Sequence, residues 1–302
     1  MSALQSLPEA VTVYEVGPRD GLQNESTAVP AEVKIHFIDL LSQSGLPIIE
    51  VTSFVRSEAI PQLADAEQVA VGIARTPVTR FVALVPNLRG MERAEAGQLD
   101  GIALFAAASE TFSRRNTGAG VDETFARFVP VVERARALGL WIRGYVSTAF
   151  GCPYEGRVAV EAVASVTGRL VALGVDEVAI SDTIGVATPA DVATVLDAVS
   201  DVVDLSRVAL HFHDTRGTAL ANVLAALQLG IRTFDASAGG LGGCPYAPGA
   251  TGNLATEDLV YMLDGLHIRT GVSLHGVVEA TRYLAEITGL VPASRYFRAA
   301  VA

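Results

Sequence analysis

Eight short β-branched or apolar runs recur roughly every 25–35 residues, stretches of helical periodicity separate them, and several of those stretches close on glycine. That alternation predicts a (β/α)8 TIM barrel with additional C-terminal helices. A doubly wound sheet is the structural alternative. Polar residues gathered at strand ends throughout the chain, not at one switch point, weigh against it.

The first run, 11–16, is followed by an amphipathic stretch at 31–44 that ends on Gly45. Strand-like runs follow at 48–52, 81–85, 101–105, 141–146, 177–181, 208–212 and 233–236. Helical periodicity fills 64–74, 121–138, 158–173, 189–199 and 219–229, with Gly139, Gly174 and Gly230 as further stop signals. The remainder from 254 onward reads as extra helices packed on the barrel. With no low-complexity segment or flexible linker, residues 1–302 are expected to form one domain, with 254–302 as its helical extension.

Half of the 302 residues are hydrophobic, enough to fill a sizeable core. A formal net charge of -11 and a pI near 4.9 argue against nucleic acid or an anionic membrane as partner. An anionic small substrate would need local arginines. Mean hydropathy is high at +0.38, yet Asp191, Asp197 and Asp201 cut even the most apolar helices, so no membrane span is expected. Residues 1–10 carry Glu9 and no basic cluster, unlike a signal or transit peptide. Two cysteines, Cys152 and Cys244, do not make a disulfide framework, so a reduced cytoplasm is the expected setting. Whether the chain forms a homo-oligomer is left open. Lys34 is the single lysine against 21 arginines, and it lies in a helical stretch. An active-site amine for Schiff-base chemistry is therefore not expected, and a carbon–carbon lyase built this way would rely on a metal.

The first strand runs into Gly17-Pro18-Arg19-Asp20-Gly21-Leu22-Gln23-Asn24-Glu25. Arginine donates in a fixed fork suited to a carboxylate or a developing enolate oxygen, and aspartate is a hard oxygen ligand for Mg²⁺ or Mn²⁺. A polar turn with an internal ion pair is the plainer alternative. His211-Phe212-His213-Asp214 ends the seventh strand, and alternation puts both imidazoles on one face. Barrel closure brings strand one beside strand eight, with strand seven next, so Asp20, His211 and His213 should converge. After strand eight, 238–253 is a glycine-rich segment carrying Cys244 and ending at Asn253, which fits a lid better than a phosphate turn. Asn253 fits two roles, helix N-cap or fourth metal ligand. Aspartate, two histidines and asparagine leave two octahedral positions for substrate oxygens, which suits Mg²⁺ or Mn²⁺ better than structural Zn²⁺.

With these motifs, the chain resembles the 3-hydroxy-3-methylglutaryl-CoA (HMG-CoA) lyase family over nearly its whole length. The matching elements include Gly17 to Glu25, Ile49-Glu50-Val51-Thr52-Ser53-Phe54, Val85-Pro86-Asn87-Leu88, Arg143-Gly144-Tyr145-Val146-Ser147 and Gly151-Cys152-Pro153-Tyr154-Glu155-Gly156. Ser181-Asp182-Thr183-Ile184-Gly185, His211 to Asp214 and the glycine–cysteine segment complete the set, the last being the most specific. The resemblance implies a divalent metal held by Asp20, His211, His213 and Asn253. It also implies Arg19 on the thioester oxygen, Cys244 as proton carrier, Glu50 in support and Gln23 as a hydrogen-bonding neighbour. Asp182, at the end of strand six, is read as binding substrate. The implied reaction cleaves an acyl-CoA, HMG-CoA, to acetyl-CoA and acetoacetate, with His211 or Asp20 as the base. A lyase for a bulkier 3-hydroxyacyl-CoA and a non-catalytic acyl-CoA-binding barrel are the rivals. One departure stands out. Where the family reads His-Asp-Thr-Tyr-Gly-Gln, this chain has His213-Asp214-Thr215-Arg216-Gly217-Thr218, which puts the surroundings of the acyl group in question. Cys152 is read as a buried structural thiol, and Arg114 and Arg115 either as a solvated pair or as contacts for CoA phosphates.

Overall fold

The computed structural model describes residues 7–26, 28–243 and 252–302. Its eight strands are β1 (Thr12–Glu15), β2 (Ile48–Ser53), β3 (Arg80–Leu84), β4 (Gly101–Ala107), β5 (Trp141–Ser147), β6 (Glu177–Asp182), β7 (Val208–Phe212) and β8 (Thr233–Ala236). They pair in parallel in sequence order, and β1 also pairs with β8, so the sheet closes into a barrel. The surrounding helices are α1 (Ala31–Gln43), α2 (Ala66–Gly72), α3 (Leu88–Ala94), α4 (Glu110–Thr117), α5 (Val121–Ala137), α6 (Val160–Leu173), α7 (Pro189–Ser200) and α8 (Ala219–Gln228). Three more follow the barrel: α9 (Thr256–Gly265), α10 (Leu274–Thr288) and α11 (Arg295–Ala300). Among the described residues, no helix is long and apolar enough to cross a membrane.

The barrel and the extra C-terminal helices match the sequence expectation. The sequence pattern missed α3 and α4, each too short to show amphipathic periodicity. In α4 only Phe112 and Ser113 are buried, so the helix is set by its cap: the Ser109 hydroxyl accepts from the Phe112 amide at 3.1 Å. Asn87 caps α3 in the same way through the Gly90 amide at 3.0 Å. Lys34 lies in α1 and is buried, with its ammonium donating to Asp65 at 2.7 Å and to the Gln62 carbonyl. It is a structural cation joining α1 to the start of α2.

Strand alternation divides the interior. Outward residues such as Val13, Ile49, Ile142, Ile180 and Leu210 pack under the helices in one continuous core. Leu170 of α6 lies against β5 at Gly144, where a Cβ would come within 2.9 Å of both leucine methyls. Truncating so enclosed a leucine to alanine costs about 2–5 kcal/mol. Inward residues form a smaller cluster, including Tyr14, Val82, Ala103, Tyr145 and Ala209. Glu50, Arg143 and Asp235, all in mid-strand, are buried as well. Polar residues are thus not confined to strand ends, as the sequence reading had it. A charged column rises through the barrel interior towards its carboxyl end.

Candidate active site

β1 ends in a five-residue π-helical turn, Gly17–Gly21, in which the amides of Arg19, Asp20 and Gly21 all donate to the Val16 carbonyl at 2.8–3.1 Å. This tight coil presents Arg19 and Asp20 side by side. Gly17 is required there: its amide donates to Glu15 Oε1 at 2.7 Å, and a Cβ would meet the same oxygen at 2.6 Å. Glu15 also accepts from the Ala238 amide at 2.9 Å and the Thr256 hydroxyl at 2.6 Å. One buried carboxylate therefore ties the turn to the foot of the glycine-rich segment and to α9.

Arg19 is 4% exposed and held on two sides. Its Nε donates to Glu50 Oε1, and its Nη1 donates to Asp20 Oδ1 at 2.5 Å. Glu50 accepts in turn from the Tyr14 and Tyr145 hydroxyls at 2.7 Å each. Burial first, and then the Glu50 charge, raise both phenols well above their ordinary range, so they remain donors. In β2 the register against β3 shifts between Glu50 and Thr52, and it is Ser53, not Thr52, that lines the cavity beyond.

Asp20, His211 and His213 converge as closure of the barrel predicted. One potential ligand atom from each lies within 4.8 Å of the others, a group able to hold a metal ion. His213 Nε2 is 4.0 Å from Asp20 Oδ2, and the two imidazole centroids are 5.2 Å apart. Burial would raise the Asp20 carboxyl, but the Arg19 charge, with both histidines and the Asn253 amide, outweighs it and holds the group well below the usual carboxylate range. Burial, reinforced by His211, pushes His213 down to about 4, which leaves the neutral ring that a metal needs.

Asn253 is drawn into the same group. A bridge with His213 and the Leu254 amide bond to the Phe212 carbonyl, 3.0 Å, lay it against the end of β7. Its Nδ2 donates to Asp20 Oδ2 at 2.9 Å. Helix α9 begins only at Thr256, with Ala255 as its cap residue, so Asn253 is not the N-cap. Among the described residues, Asn253 Oδ1 and His213 Nδ1 are buried without a hydrogen-bond partner. Carboxylate, imidazole and amide donors, with an orphaned amide oxygen beside them, fit a divalent cation.

Arg19, Asp20, Gln23, His211 and His213 line a cavity of about 460 Å³ together with Ser53, Tyr145, Ser147, Ser181 and Thr183. The lining also includes Phe105, Phe112 and Phe128 with Asn116 and Arg127. Asp182 is not among the lining residues. Its two oxygens accept from the Val186 and Ala187 amides at 2.9 and 3.0 Å, fixing the loop after β6, and burial pushes its carboxyl up to about 6. Arg216, the departure after β7, is also absent from the lining and donates to the Ile184 and Gly185 carbonyls. Arg114 pairs with Glu110 at 2.7 Å and Arg115 lies over the Tyr154 ring. Cys152 is buried, with its sulfur 3.0 Å from the Ser109 hydroxyl. Cys244 lies outside the described residues.

Sequence reasoning missed Tyr14, Tyr145, Arg143 and Asp235 as supports of the site. The signal was present, since a charge in the middle of an apolar strand, as in Trp141-Ile142-Arg143-Gly144-Tyr145, needs a buried partner.

Residues 10–284 match the sequence profile of a family described as HMGL-like. The chain belongs to the HMGL-like family. Two rat proteins, a cytoplasmic 3-hydroxy-3-methylglutaryl-CoA lyase and a mitochondrial hydroxymethylglutaryl-CoA lyase, are each 50% identical to it over 285 residues, 94% of this chain and 83% and 88% of theirs. The HMG-CoA lyase of Bacillus subtilis superposes with a TM-score of 0.97 at 47% identity, covering 99% of this chain and 100% of that one. An HMG-CoA lyase from Acinetobacter baumannii, solved in complex with coenzyme A and 3-methylmalate, gives 0.92 at 40% identity over 96% and 95%. This member of the HMGL-like family thus shares both its barrel and nearly all its length with lyases of that name.

Proposed function

We propose that this chain is a divalent-metal-dependent carbon–carbon lyase that cleaves HMG-CoA to acetyl-CoA and acetoacetate. The observation that carries this reading is the convergence of Asp20, His211 and His213 beside the buried Arg19 fork in one cavity. Asp20, His211, His213 and Asn253 would hold the cation. Their hard and borderline donors, with no thiolate among them, favour Mg²⁺ or Mn²⁺. When bound, such an ion supplies Lewis acidity that favours ionisation of the substrate hydroxyl.

The protein side chains do the rest. The hydroxyl proton passes to Asp20 or, through Nε2 when that nitrogen is not committed to the cation, to His211. As that O–H electron pair forms a ketone, the bond to the thioester α-carbon breaks and its electrons pass onto the thioester as an enolate. Arg19, clamped by Glu50, offers its remaining N–H donors to that oxygen. Cys244 delivers the proton that completes acetyl-CoA. Gln23 contributes a polar contact on the cavity wall. Asp182 acts through the loop it holds, presenting Thr183. Because Arg216 lies away from the cavity, it gives no reason to prefer a bulkier acyl group. The chain is taken as one domain working in the cytoplasm, a setting supported by its reduced-type cysteine usage and shared by one of the two rat relatives. Acetoacetate release from a panel of 3-hydroxyacyl-CoA thioesters, with and without chelator, tests the reading. HMG-CoA should be turned over fastest, and only with metal present.

A further inference from the structure

His211 is held by a buried chain of alternating charge that the reaction itself does not use. Its Nδ1 lies 3.1 Å from Asp235 Oδ2. Asp235 Oδ1 accepts from Arg143 Nη2 at 2.6 Å, and Arg143 Nε is 3.1 Å from Glu177 Oε1. Asp235 is 2% exposed and Arg143 is 0% exposed, the guanidinium lying 3.7 Å over the Tyr14 ring. The β7–β8 register places His211 directly opposite Asp235, so the contact is built into the sheet.

We propose that Asp235, locked by Arg143, is a positioning residue that sets the tautomer of His211 and thereby the affinity of the site for a divalent cation. A neutral imidazole has one N–H and one lone pair. The Asp235 carboxylate only accepts, so Nδ1 carries the hydrogen and the lone pair is left on Nε2. Arg143 only donates, so it holds the carboxylate in this orientation. Among the described residues His213 has no such partner at Nδ1, which makes His211 the ring whose orientation is built by hydrogen bonding.

The pair also predicts what Asp235→Asn does. Arg143 requires the amide carbonyl, which turns the amide NH2 towards His211. Nδ1 must then accept, the hydrogen moves to Nε2, and the lone pair is lost from the nitrogen that faces the site.

The inference rests on Asp20, His211 and His213 being metal ligands, and two measurements keep the claims apart. Mn²⁺ binding to metal-stripped wild-type protein, read from the free-ion electron paramagnetic resonance signal, tests the ligand reading alone. The ratio of wild-type to Asp235→Asn affinity tests Asp235. The variant should bind Mn²⁺ about 10–100-fold more weakly. In ¹⁵N-histidine spectra of the metal-free proteins, the His211 signal, assigned by its loss in His211→Ala, should report hydrogen on Nδ1 in the wild type and on Nε2 in the variant. An Asp235→Asn protein that binds Mn²⁺ within about twofold of wild type overturns the proposal. So does a wild-type His211 carrying its hydrogen on Nε2, a result that needs no variant to fold.

Discussion

Arg19→Lys separates the role of a positive charge from that of a fixed fork. Two of the arginine's donors are committed, one to Glu50 and one to Asp20, and the others remain for a ligand in the cavity. Lysine carries a single nitrogen on a flexible stem. It can satisfy Glu50 or Asp20, but it cannot hold both and also present a donor in the same plane to a developing enolate. Fold and metal site should survive. The charge next to Asp20 is kept, and Glu50 retains the Tyr14 and Tyr145 hydroxyls. Arg19→Met would be a poorer test, because leaving a buried carboxylate without its cation costs about 3–5 kcal/mol and would confound activity with folding. Losing one preorganised donor to an oxyanion is worth about 2.7–4 kcal/mol, a fall in kcat of about 10²–10³-fold. KM and Mn²⁺ affinity should move by only a few-fold. Steady-state acetoacetate release, with Mn²⁺ titrated separately, reads all three quantities. A lysine variant whose kcat stays within a few-fold of wild type would refute the reasoning, since Arg19 would then serve the fold and not the enolate.

Three further outcomes are expected. His211→Ala and His213→Ala should each lose metal and turnover together, and chelated wild-type enzyme should recover with Mg²⁺ or Mn²⁺; undiminished turnover in metal-free protein would exclude the site. Cys244→Ala should lower kcat by about 10²–10⁴-fold with KM little changed, while Cys152→Ala, whose sulfur is buried against Ser109, should leave kcat intact; the reverse pattern would put the proton on the other cysteine. Glu15 and Glu257 are both pushed up to about 7, chiefly by burial, against hydrogen bonds that pull the other way. A folded-state value above the ordinary 4.5 means that the native protein holds these protons more tightly. Their contribution to stability is complete below that value and is lost as pH rises through about 7. Tm should therefore fall between pH 5 and 8, and less so in Glu15→Gln and Glu257→Gln; identical pH profiles in all three proteins would show that neither carboxyl is linked to folding.

The barrel was legible in the chain because strand and helix periods are local properties. Runs such as 208–212 and stops such as Gly174, with φ of 97°, announce themselves within a few residues. Arg19, Asp20, His211 and His213 were legible for a related reason: residues near the end of a barrel strand meet once the ring closes, whatever their separation in sequence. What lay beyond reach was set by contacts between distant strands. Asn253 offered a cap or a ligand on sequence alone; the start of α9 at Thr256, with Ala255 as its cap residue, decided against the cap, and the bridge to His213 laid Asn253 beside the end of β7. Asp182 ends β6 as expected, yet its backbone partners at Val186 and Ala187 turn it away from the cavity. Glu50, Tyr14 and Tyr145 come from three different strands to hold one guanidinium, and Arg143 reaches Asp235 across 92 positions of sequence. Sequence determines which side chains face inward. Which inward charge finds which partner depends on strand register and on the width of the closed barrel, and these exist only when all eight strands are in place.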